Sequence, residues 1–182
     1  MTLHTLLDEF RGNYRAALQA EGMCALADVG LRADRGSLIG FARVKVANGF
    51  YEPAADGSAA VIVPAFTHED GSPDVYDLVA VGLNSRRSAT RRGIVQHLGD
   101  LWLDVSVAQG NSVRVFLDGL EWLSANCAGM FFADIAAASF VLGDSVGIWC
   151  SDDAAAALLC EAMKRPSRIP PIYVPAEVHH AA

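Results

Sequence analysis

Two groups of residues have types and spacings suited to chemistry. The first is a series of acids: Asp118 directly after the apolar run Val113 to Leu117, Asp134 after Met130 to Ala133, and Asp152 with Asp153 after Val146 to Cys150. If those runs are parallel strands, the acids gather on one rim, where open α/β sheets bind their ligands. Asp118, Asp152 and Asp153, with Asp134 as an outlying candidate, would then offer oxygen ligands to a magnesium ion. Such an ion would neutralise a phosphoryl group during transfer. The same positions suit helix capping. Asp118-Gly119-Leu120-Glu121 has capping-box spacing, and Ser151, Asp152 or Asp153 can accept the first amides of a helix beginning at Ala154. A cap needs no convergence of the acids; a metal site does.

The second group is Arg86, Arg87, Arg91 and Arg92, interleaved with Ser85, Ser88 and Thr90 in an otherwise acidic chain. Guanidinium forks and hydroxyls match phosphate oxygens, as in contacts to a nucleic-acid backbone. The same cluster suits an acidic protein partner, or a solvated loop paired with neighbouring acids. No aromatic residue interleaves with the arginines, so a stacking platform for single strands is unsupported. The two commonest glycine-rich nucleotide motifs are absent. Ser145, Ser151 and Ser167 lack a nucleophile-elbow setting, and His97 has no partner recognisable in sequence.

Elements must position these residues. Leu3, Leu6, Leu7, Phe10, Tyr14, Ala17 and Leu18 recur at helical spacing, predicting an amphipathic helix ending near Gly22. Residues 23–28 read as a second short helix closed by Gly30. Phe41 to Phe50 reads as one strand, and the runs 60–66 and 75–83 as a hairpin about Asp70-Gly71 and Pro73. Residues 93–98 read as a short helix and 101–105 as a strand. Thereafter strands (113–117, 130–133, 146–150, 172–174) alternate with helices (120–128, 135–142, 154–165). Continuous apolar strands between helices indicate a parallel sheet covered by helices. The expected fold is α/β: a small parallel sheet flanked by helices in the C-terminal half, 110–182, and an α+β N-terminal part, 1–109, with a short antiparallel sheet. The two halves could also form one compact unit.

The 182 residues are 52% hydrophobic and 19% charged, with formal net charge −7, which favours a buried core over disorder. That charge opposes non-specific nucleic-acid binding by the whole surface. The most apolar stretch, 127–146, is broken by Asp134 and Asp144, so no membrane span is expected. Asp8, Glu9 and Arg11 occupy the place of a signal peptide's apolar run, giving a soluble, cytoplasmic expectation. The scattered Cys24, Cys127, Cys150 and Cys160 read as small core residues rather than a disulfide framework or zinc site. Trp102, Trp122 and Trp149 read as core, and His179 and His180 as a solvated tail.

The order of a strand with Asp118-Gly119, helix, strand, helix, strand with Asp152-Asp153, helix and strand resembles a reduced, divergent Toprim domain over residues 113–175. In that family a Glu follows the first strand, and an Asp-x-Asp pair follows a later one; both serve magnesium-dependent phosphoryl chemistry. Asp118 would replace the Glu, and Asp152 and Asp153 are adjacent instead of spaced by one residue. The segments 77–81, 91–93 with 98–99, and 120–123 are similar to bacterial proteins of prophage or mobile-element type. The resemblance implies a setting in nucleic-acid metabolism. Two functions follow: a non-catalytic accessory or interaction protein meeting phosphate or an acidic partner through the arginines, or a divergent Toprim-like nuclease or phosphoryl-transfer enzyme using the acids.

Overall fold

The structure, a computed structural model, describes residues 3–33, 38–67, 74–143 and 147–164. The expected turn at 68–73, the strand at 172–174 and the histidine tail lie outside them. The chain opens with helices α1 (Leu3–Ala17) and α2 (Ala20–Ala27), followed by strands β1 (Gly40–Ala47), β2 (Phe50–Pro53), β3 (Ser58–Thr67), β4 (Asp74–Gly82) and β5 (Ser88–Thr90). The antiparallel pairing expected for the two long runs is present, from Ala60 opposite Gly82 to Thr67 opposite Asp74. The sheet also closes on itself, in the order β1-β2-β5-β4-β3 with β3 returning to β1. Closure leaves no open edge.

Closure depends on a turn that a single strand over residues 41–50 would not contain. Asn48 and Gly49 both take positive φ, 53° and 81°, and Ala47 pairs with Phe50 across them. Positive φ at both central residues is the turn whose twist suits a two-residue hairpin, and Asn-Gly is its favoured sequence. The expected strand is therefore a hairpin. Its second arm reaches β5 through a parallel pairing at Phe50 and Thr90.

Strands β3 and β4 are buried on both faces. Ala60, Ile62, Leu78 and Ala80 pack with Val44, Tyr51, and Leu6 and Phe10 of α1. Their neighbours Val61, Val63, Val79 and Val81 face outward into another cluster holding Phe116 and Phe131 of the second sheet and Leu120 and Trp122 of the helix that follows Phe116. Successive side chains on a strand point to opposite faces, which explains why both runs are almost continuously apolar. Gly119 lies where the layers meet: a Cβ there would stand 2.7 Å from Val81 Cγ2.

The second sheet has the order β6-β8-β7-β9, comprising β6 (His97–Leu98), β7 (Val113–Phe116), β8 (Met130–Phe132) and β9 (Ile148–Trp149). β7 runs parallel to β8 and β9, as expected, whereas β6 runs antiparallel to β8. Between the strands stand α3 (Asp100–Gln109), α4 (Gly119–Ser124), a 3-10 turn (Ile135–Ala137) leading into α5 (Ala138–Val141), and α6 (Asp153–Lys164). Val113, Val115, Met130 and Phe132 form a third core with Ala137, Ala138, Leu142 and Leu159.

Four expectations are corrected in whole or in part. Residues 93–98 are extended chain ending in β6, and residues 101–105 lie within α3. Gly99 and Gly110 bracket that helix with φ of 95° and 66°, the left-handed backbone that glycine adopts without strain. The apolar run Leu101 to Val105 carries no period that separates strand from helix, and the flanking glycines decide it. Two of the four cysteines are not core: Cys24 and Cys160 are exposed, whereas Cys127 and Cys150 are partly buried and pack against the core clusters. Trp122 is buried, but Trp102 and Trp149 are 43% and 69% exposed. Among the described residues, no helix is long and apolar enough to cross a membrane.

Candidate functional site

The arginine segment begins where β4 ends. The Gly82 amide donates to the Arg87 carbonyl across a tight turn, with Arg86 at a positive φ of 56°. That conformation swings Arg86 toward the second sheet, where its Nε lies 2.8 Å from Asp118 Oδ2. Arg87 is left beside Lys45, Ser58 and Ser85, lining an open groove of about 640 Å³ over β1, β3 and β4. Asp56, also on this groove, holds the Lys45 ammonium at 2.6 Å.

β5 then carries the chain across the barrel, and Arg91 turns inward to α1. Its Nε lies 3.1 Å from Glu9 Oε2 in a largely buried pair, and its guanidinium stands 5.9 Å from the centre of the Tyr51 ring. The Tyr51 hydroxyl donates to Glu9 Oε1. Burial, reinforced by the Glu9 carboxylate, pushes the Tyr51 phenol well above its ordinary value, with Arg91 opposing. The folded state therefore holds this proton more tightly than the unfolded chain does. Stability is complete below the unfolded value near pH 10 and is lost as pH rises above it, by up to about 1.4 kcal/mol per pH unit. Urea titrations from pH 9 to 11.5 are expected to show this fall, and Tyr51→Phe to reduce it, the remainder coming from Tyr76, Cys127 and Cys150, whose values burial also raises.

The residues after Arg91 are arranged by a group that sequence reading passed over. Asp77, in the middle of β4, has 0% exposure. Its Oδ1 accepts the amides of Leu78 at 2.8 Å and Arg92 at 2.9 Å. Its Oδ2 accepts those of Ile94 at 2.9 Å and Val95 at 3.1 Å. One carboxylate thus fastens the 92–95 strap to the barrel wall. The available signal was a lone acid inside an apolar strand, since a buried charge persists only where it is hydrogen-bonded.

The strand-end acids are placed as expected along the parallel strands but serve their own helices. Asp118 Oδ1 accepts from the amides of Leu120 and Glu121, Asp134 Oδ1 from that of Ala136, and Asp152 Oδ1 from that of Ala155 at 2.7 Å. Asp153 is the first residue of α6. Among the described residues, no three or more His, Cys, Asp or Glu side chains gather in a group able to hold a metal ion. The four arginines are likewise divided, with Arg86 on Asp118, Arg87 at the groove and Arg91 on Glu9, while Arg92 gives its amide to Asp77. The structure instead brings Arg86 and Asp118 together, one from each group.

The chain matches no family model, no curated protein and no solved structure. The pairing of Arg86 with Asp118 can be weighed by substitution. Asp118→Ala is expected to cost about 1 kcal/mol for the missing cap and at most about 1 kcal/mol more for the half-exposed pair. Arg86→Ala should cost only the second part. Chemical denaturation of the two variants and the double variant checks both, because coupling appears as non-additivity.

His97 makes a further polar contact at the sheet edge. Its Nε2 lies 2.7 Å from Asp100 Oδ1 and its ring is tilted against Phe132. Nδ1 is buried without a partner among the described residues.

Proposed function

We propose that the chain is a non-catalytic accessory protein of bacterial DNA metabolism, meeting phosphate or an acidic partner through Arg87, Lys45 and Arg86. One observation carries the choice between binding and catalysis. Asp118, the acid for which resemblance suggests a metal role, has Oδ1 on two helix amides and Oδ2 on a guanidinium. A carboxylate so engaged would have to break a cap and an ion pair to bind a cation. Arg87 and Lys45 on one groove, with the Ser58 and Ser85 hydroxyls beside them, supply the donor types that phosphate oxygens accept. Arg86 and Lys45 also meet acids but stay 55% and 62% exposed, whereas the Arg91 and Glu9 side chains are only 21% and 14% exposed, so the part of Arg91 is structural.

The test is binding of a labelled oligonucleotide across a salt series. Affinity should be weak, fall with salt, and drop on replacing Arg86, Arg87 and Lys45 by alanine, with the salt slope reduced by roughly one for each phosphate that is no longer neutralised. No binding at low salt, or binding untouched by the triple variant, overturns the nucleic-acid form of the proposal. A magnesium-dependent rise in melting temperature that Asp118→Asn abolishes would favour the phosphoryl-transfer enzyme instead.

A further inference from the structure

A second cavity, distinct from the arginine groove, lies where the barrel meets the second sheet. It is an open cleft of about 340 Å³, lined by Asn48, Phe50, Ser88, Thr90, Gln96 and Asp134, among others. That volume is at the lower end of small-ligand sites, which combine apolar surface with a few fixed polar groups. Its walls are tied together. The Thr90 amide donates to Gly49 O, holding the hairpin turn against β5. On the far side Ser88 Oγ donates to Ala133 O and the Asp134 amide to Gln96 O.

Two features select the occupant. Phe50 is an aromatic residue 47% exposed at this wall, and Gly93 is adapted to it. A Cβ on Gly93 would stand 2.5 Å from the Phe50 ring, and the residue has a φ of 76°. The second is Asp134. Its Oδ1 caps the 3-10 turn, and among the described residues no cation pairs with its carboxylate. The lining therefore includes an aromatic residue and an acid, with Asn48 and Gln96 beside them. An aromatic face favours a planar ring, and a carboxylate favours neighbouring N–H donors.

We infer that this cleft binds a planar heteroaromatic group bearing adjacent N–H donors, of the guanine type, with its ring on Phe50 and its donor edge toward Asp134. The nucleoside needs no phosphate contact, so this site is independent of the arginine groove.

The experiment titrates the full chain with guanosine, adenosine and methylguanidine by calorimetry. Guanosine should bind at least about tenfold tighter than adenosine, which lacks the paired donor edge, and than methylguanidine, which lacks the ring. Asp134→Asn keeps an oxygen for the cap and should lose at least about tenfold for guanosine with an unchanged melting temperature. Phe50→Leu should weaken guanosine and leave methylguanidine unaffected. Equal affinities for the two nucleosides, methylguanidine binding as well as guanosine, no guanosine binding at millimolar concentration, or full binding by Asp134→Asn would each overturn the inference. Replacing Arg86, Arg87 and Lys45 should leave guanosine binding intact, separating this site from the groove.

Discussion

Asp77→Ala is expected to lower stability by about 3–5 kcal/mol, the range for removing one partner from a buried charged network. For a chain of this size that is a fall in melting temperature of roughly 6–20 °C. The carboxylate is wholly buried and is the acceptor for four amides, those of Leu78, Arg92, Ile94 and Val95. Each amide left without an acceptor away from water costs about 1–3 kcal/mol, and local loosening of the strap recovers part of it. The isosteric change Asp77→Asn would not preserve the site. The carboxamide oxygen could serve two amides, but its NH2 group would face the other two, donor against donor. Hydrogen exchange at residues 92–95 should accelerate in both variants, and a destabilisation below about 1 kcal/mol in Asp77→Ala would refute this role.

The second large effect is expected at Gly129, where four elements meet. Its φ is 135°, a region essentially reserved for glycine. A Cβ there would stand 2.6 Å from the Arg114 carbonyl oxygen and 3.0 Å from the Phe116 ring. Its own carbonyl accepts the Trp122 indole N–H at 2.9 Å, and a Cβ on Gly99 would strike that same oxygen. Gly129→Ala should therefore cost about 3 kcal/mol or more, combining backbone strain with a clash against main chain. Gly110→Ala is the control. It also requires positive φ, 66°, but has nothing within 4 Å of the added carbon, so only the backbone cost of about 1–2 kcal/mol applies. Urea unfolding followed by tryptophan fluorescence distinguishes the two, and equal losses of stability would rule out the steric cause.

Much of the architecture can be read from local pattern. The amphipathic spacing in α1, the hairpin of β3 and β4, and the parallel trio β7, β8 and β9 follow from the periods of apolar residues. Closure of the barrel does not, because it rests on Asn48-Gly49 dividing a run whose alternation continues on both sides. The helix α3 was hidden for another reason. None of its residues is buried, so its apolar side chains carry no one-sided pattern. That absence of burial also explains Trp102, whose type suggested core.

The candidate site was half legible. The acids sit at strand ends as the pattern required, and their capping amides are consequences of local spacing. Their partners are not local. Arg86 meets Asp118, and Arg91 meets Glu9, across separations in sequence that only the tertiary fold closes. A cluster in sequence became four separate environments because β5 is only Ser88–Thr90 and the chain turns at both its ends. Asp77 was visible as an anomaly, a carboxylate among valines, but three of its four amides come into reach only when residues 92–95 fold back over β4.

The double burial of β3 and β4 makes these strands a party wall. Ile62 belongs to the barrel's interior while Val61, one residue earlier, belongs to the layer shared with Trp122 and Phe131. Neither half can be excised without wetting one side of that partition, so sequence drift in either half is answerable to the other. A fusion or split design would have to keep both strands intact and cut instead at an exposed turn on the molecule's periphery.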